Sequence, residues 1–100
     1  MPGQRQPHQP SDPSPYHELA RLGIRPGDRV RFRRKPDGHW HEGTAIRRER
    51  DGSLGVRDAK GAARAIPLEL VEVKGEGPRG AARWEPLLER AAHIEQLRLL

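Results

Sequence analysis

In the segment DRVRFRRK, residues 28–35, basic side chains recur at every second position: Arg29, Arg31, Arg33 and Lys35. In an extended chain alternate side chains share one face about 6.5–7 Å apart. The four therefore form a linear cationic strip, with Val30 and Phe32 on the reverse side. Such a strip suits a polyanion, because an arginine fork bonds phosphate oxygens in pairs and like charges side by side on a sheet are destabilising until a counter-charge relieves them. Arg47 and Arg57, in later extended segments, are in phase to carry the strip across a sheet. The plainer reading is that this is the wet face any small β domain needs, with Glu49, Asp51 and Asp58 neutralising part of it. If nucleic acid is the ligand, phosphates receive most of the contacts, since the strip carries few groups able to read base edges.

The second candidate is HWH, residues 39–41. His39 and His41 fall on one side of a strand, as two zinc ligands must. No third ligand is evident nearby, and His17 would serve only if an N-terminal helix packed there, so no metal site and no cofactor are expected. Trp40 is read as a packing residue at the end of the core, with base stacking as its other use. Catalysis has no support: there is no cysteine, no phosphate-cradling glycine loop and no nucleophile–histidine–carboxylate order with a cleft to hold it. The chain is read as non-enzymatic.

The third candidate is AARWEPLLERAAHIEQLRLL, residues 81–100. Read at 100° per residue, Trp84, Leu87, Leu88, Ala91 and Ile94 share a broad apolar face, while Glu85, Glu89, His93 and Gln96 lie opposite. One reading folds this helix back over the open end of a β domain. The other projects it into the groove of a protein partner or a second copy of the chain.

The elements that must position these groups follow from period and punctuation. Residues 1–13, rich in proline and polar side chains, have too little apolar surface to offset ordering entropy and are expected to be disordered. Residues 14–23 read as a short helix with Ser14 as cap, Pro15 at its first position and Gly23 at its exit. The period then changes to two. Val30 and Phe32 point inward from a first strand, Trp40, Thr44 and Ile46 from a second, Leu54 and Val56 from a third. ARAI makes a short fourth, and Val71 and Val73 belong to a fifth. Asp51-Gly52 predicts a type I′ hairpin turn, Pro67 interrupts the ladder, and residues 75–80 read as a linker before the helix. Five short antiparallel strands over residues 24–74 are too few for a sandwich and suit a small closed or nearly closed barrel.

Composition sets the outer bounds. One hundred residues, 33% apolar, allow one small domain with a modest core. A formal charge of +5 favours polyanionic partners, although a preference for arginine over lysine also follows from GC-rich coding. The absence of cysteine excludes disulfides. No apolar run suits a signal peptide and no stretch approaches membrane-spanning length, so the expected setting is the bacterial cytoplasm with no membrane partner.

The order PGDRVRF, DGHWHEGTAI, DGSLGVRD, GAARAIPLELVEV, over about residues 24–74, resembles the SH3-like small barrels, nearest the Tudor and KOW branches. The resemblance implies a barrel of five strands. Tudor barrels that read methylated side chains use a cage of several aromatics, whereas this segment offers only Phe32 and Trp40, so the resemblance points to KOW-like binding of RNA, ribosomal surfaces or RNA polymerase. The resulting expectation is a nucleic-acid or ribonucleoprotein binder acting through Arg29, Arg31, Arg33, Lys35, Arg47 and Arg57. The alternative is a protein adaptor acting through its C-terminal helix.

Overall fold

The computed structural model of the protein describes residues 15–99; the tail at 1–13 and the capping position Ser14 lie outside the described residues. The chain runs α1 (Pro15–Arg21), β1 (Arg29–Phe32), β2 (His41–Arg48), β3 (Leu54–Asp58), β4 (Ala63–Ile66), a 3₁₀ turn (Leu68–Leu70), β5 (Val71–Glu76), a second 3₁₀ turn (Pro78–Gly80), β6 (Ala82–Pro86) and α2 (Leu87–Arg98). All the strands pair antiparallel in one sheet of order β4-β3-β2-β1-β5-β6. The expectation of five strands is corrected to six, and the sheet is unclosed, with β4 and β6 as its edges.

The extra strand lies where the sequence suggested linker and helix. β5 runs on to Glu76, and β6 pairs with it from Glu72↔Pro86 to Glu76↔Ala82. Pro86 explains the difference. A residue before proline is pushed out of the helical region, so Glu85 stays extended and the helix starts only at Leu87. Trp84 is accordingly a strand residue and not part of a helix face.

The inner face of the sheet, α1 and α2 enclose one core. Its members are Leu19, Leu22 and Ile24 at the N-terminal end, Val30, Phe32, Ala45, Leu54, Val56, Ile66, Leu70, Val71 and Val73 from the sheet and its first 3₁₀ turn, and Leu87 from α2. Ala91 packs against this cluster. Arg90 fastens the helix further. Its guanidinium donates to Glu85 Oε1 (2.9 and 3.1 Å) and to the Gly23 carbonyl (3.3 Å). The C-terminal helix therefore folds back onto the sheet. Of the face proposed for a partner, Leu87 is buried and Ala91 engaged, Ile94 and Trp84 are half-buried, and Leu88 is exposed.

The β2–β3 and β3–β4 turns share one design. Gly52 N–H donates to the Glu49 carbonyl and Glu49 N–H to the Ser53 carbonyl; Gly61 and Asp58 repeat the arrangement, with Ala62 as acceptor. Only the glycine takes positive φ, +93° at Gly52 and +88° at Gly61. These are type I turns closed by a glycine in the left-handed region, which corrects the type I′ turn expected at Asp51-Gly52.

Candidate aromatic and basic face

The outer face of the sheet is set by register. Arg31 pairs with Glu42 on β2 and Glu72 on β5, and Glu72 pairs with Pro86 on β6. Arg29 pairs with Thr44, and Thr44 with Arg57. The inner partners of Val30 and Phe32 on β2 are Gly43 and His41. Trp40 and Thr44 were expected inside; the phase of β2 puts Thr44 on the outer face, and Trp40, just before β2, lies beside Arg31 and Arg33 there. A bulge between Ala45 and Arg47 then shifts the phase, so Ile46 is the extra residue, not a core position, and Arg47 turns outward opposite Gly55.

Arg29, Arg31, Arg33, Arg47 and Arg57 thus share this face, while Lys35 sits beyond the end of β1 in the loop to β2. They do not form a bare cationic strip. Arg29 Nη2 lies 2.7 Å from Glu42 Oε1, with both side chains more than half exposed. Arg31 donates from Nε (2.8 Å) and Nη2 (2.5 Å) to Glu72 Oε1. Arg47 lies 3.6 Å from Glu49, and Arg57 donates to the Gly61 carbonyl at 2.9 Å.

What the face holds instead is a cluster of guanidinium groups and indoles. The Arg31 guanidinium carbon is 4.3 Å from the Trp40 ring centre and 5.0 Å from that of Trp84. The Arg33 guanidinium lies over Trp40 at 4.5 Å, and Lys74 Nζ is 5.9 Å from Trp84. Cations are drawn to the negative face of an aromatic ring, most strongly to tryptophan. Arg31 is therefore held between two rings and a carboxylate. Arg33 Nε is buried without a hydrogen-bond partner, so the stacking on Trp40 is what positions its head group.

Sequence reasoning missed Trp84 as a strand residue, Trp40 as an outer one, and Glu42 and Glu72 as partners of the arginines. A signal for two of them was present. Glu42 and Thr44 occupy one phase of the second strand, with Trp40 just before it in the same alternation of sequence, and a carboxylate in that phase marks the wet side. The carboxylate at the β3–β4 turn is also fixed. The Asp58 carboxyl is held below the usual carboxylate value, first by the hydrogen bond from Arg64 and then by the Ala62 N–H, with Lys60 N–H adding to them. Asp51 is lowered likewise by the hydroxyl and N–H of Ser53.

His39 precedes β2 and His41 opens it, with the His41 ring stacked on Phe32 at 5.6 Å. Among the described residues no group of three or more histidine, cysteine, aspartate or glutamate side chains is placed to hold a metal ion, and no helix is long and apolar enough to cross a membrane. No family model, curated protein or solved structure matches this chain.

Proposed function

We propose that the protein is a non-enzymatic binder of nucleic acid or ribonucleoprotein that takes a single strand on the outer face of its sheet. The observation that carries this reading is the stacking of Arg31 and Arg33 on Trp40, and of Arg31 on Trp84. Bases of single strands stack on aromatic rings and on guanidinium planes alike, and an arginine lying on an indole is already oriented for that use. Arg29, Arg47, Arg57 and Lys74 lie on the same outer face and are exposed, so they supply phosphate contacts. An SH3-like small barrel, of the Tudor and KOW kind, belongs to the same proposal. Its support is that β1 pairs with both β2 and β5, the turning-back that begins to close a short-stranded sheet, with β6 added at the edge. The engagement of Leu87 and Ala91 in the core weighs against the adaptor alternative.

The two tryptophans of the chain make intrinsic fluorescence the natural assay. Titration with single-stranded RNA and DNA oligomers quenches it, and affinity falls as salt rises, because phosphate neutralisation releases counterions. Trp40→Ala weakens binding by about five- to 150-fold, the equivalent of ~1–3 kcal/mol for one stacked base. Absence of binding at low salt, or unchanged affinity in Trp40→Ala, removes the reading.

A further inference from the structure

The loop between β1 and β2 holds a second feature, separate from the stacking face. A cleft of about 450 Å³ is lined by Arg34, Lys35, Asp37, Gly38, His39 and His41. Arg29, Arg31, Arg47, Arg64 and Arg90 each have a carboxylate partner. Arg34 and Lys35 have none among the described residues, and the rings of His39 and His41 make no hydrogen bond there. Four residues with cationic or hydrogen-bond-donating side chains therefore line one opening, beside a single carboxylate residue, Asp37.

The loop is held in shape. Gly38 N–H donates to the Lys35 carbonyl at 2.9 Å, closing a turn through Pro36 and Asp37, and proline fixes its own φ. A side chain at residue 38 would begin 3.1 Å from Lys35 Cγ, so the turn packs closely on the lysine stem. His41 is seated on Phe32, one of the most deeply buried side chains. An adjoining cleft of about 180 Å³ shares Arg34 and His41 and is lined also by Glu42, Asp58, Lys60 and Arg64; there Asp58 and Arg64 already pair at 2.9 Å, whereas on the Lys35 side the two cations keep no carboxylate partner among the described residues.

We propose that this loop is a binding site for a phosphate monoester or free phosphate, with Arg34 and Lys35 supplying charge and His39 and His41 supplying ring N–H donors. A compact anion with several acceptor oxygens satisfies that donor set, and charge-assisted hydrogen bonds are the strong class. The site stands on its own residues and does not need the stacking face. Its position next to Trp40 makes the phosphorylated end of a bound strand one source of the group, and inorganic phosphate the other.

The test uses the full chain and the double variant Arg34→Ala/Lys35→Ala, whose exposed positions leave the thermal melt unchanged. Titration with inorganic phosphate, followed by calorimetry, shows binding to the parent chain and a loss of at least about tenfold in the variant, the scale of one lost charged hydrogen bond. Oligomers with a 5′-phosphate are compared with 5′-hydroxyl oligomers of the same sequence. A preference of about tenfold for the phosphorylated strand, abolished in the variant, assigns the site to a strand end; no preference with phosphate binding retained assigns it to the free anion. If 5′-hydroxyl oligomers fail to bind while phosphate binds, the stacking reading fails and the loop site stands. Absence of phosphate binding together with equal affinity for the two oligomers, or binding unchanged by the double substitution, overturns the proposal.

Discussion

Leu87→Ala tests the placement of the C-terminal helix. Leu87 is the first residue of α2 and is 0% exposed, whereas its neighbour Leu88 is 46% exposed. The helix has no side-chain cap at Pro86, so its attachment depends on Leu87, Ala91 and the Arg90 bonds. Truncating a buried leucine removes its transfer free energy and leaves a cavity, at a cost of about 2–5 kcal/mol. A central value of ~3 kcal/mol, at roughly 4–8 °C per kcal/mol for a domain of this size, lowers the melting temperature by about 12–24 °C. Leu88→Ala, on the outward side, changes stability by only ~0.5 kcal/mol, a shift under about 4 °C. Thermal melts followed by circular dichroism at several protein concentrations measure both. A chain truncated after Pro86 should fall at least as far as Leu87→Ala. Equal, small shifts for the two substitutions would refute the packing of α2, and a concentration-dependent melt lost in Leu88→Ala would return the helix to the role of a partner-docking element.

Two further outcomes follow from the sheet. In Gly43→Ala the new methyl would press on the Arg57 carbonyl oxygen and lie 2.9 Å from Val56 Cγ1; the backbone must shift, and a loss of about 1–3 kcal/mol is expected in denaturant unfolding, with an unchanged midpoint counting against the β2–β3 register. The depressed Asp58 carboxyl gives a pH dependence of definite sign. Its contribution is full above the unfolded value, near 3.8, and is lost as pH falls through the still lower folded value. The stability gap between the parent chain and Asp58→Asn should therefore narrow below about pH 4, and a gap constant down to strong acid would contradict the Arg64 and turn hydrogen bonds.

The parts of the fold legible in the sequence were those where one physical requirement dominated. Val30 and Phe32 alternate with Arg31, Val71 and Val73 with Glu72, and Leu54 and Val56 flank Gly55; all six apolar residues are buried. The second strand misled because tryptophan is ordinarily counted as interior. Here both tryptophans trade part of their burial for cation–π contact, and a small side chain, Ala45, takes the inner position. The bulge at Ile46 added a phase shift that composition does not announce. At residues 82–86, alanine and glutamate suggested a helix; the constraint of Pro86 on Glu85 and the free edge of β5 outweighed that preference, as tertiary pairing routinely does. The cations of the candidate face were visible as a row, but their partners were not. Glu72 lies 41 residues from Arg31, and no local pattern joins two strands so far apart in sequence.

Those partners change what the arginines are suited to do. Exposed ion pairs contribute little and are screened by salt, so the Arg29–Glu42 pair, with side chains 56% and 57% exposed, opens at small cost when a phosphate competes for Arg29. The Arg31–Glu72 pair is 28% and 21% exposed and is braced by two indoles. Breaking it would leave a half-buried carboxylate without its partner, a larger penalty than one phosphate contact returns. Arg31 is therefore expected to stay in place as part of a flat platform, while Arg29, Arg57 and Lys74 exchange their partners for phosphate oxygens. On the proposed reading the bases of a bound strand would occupy the centre of the face and the backbone its rim, an arrangement a single strand can adopt and a duplex, with its bases turned inward, cannot.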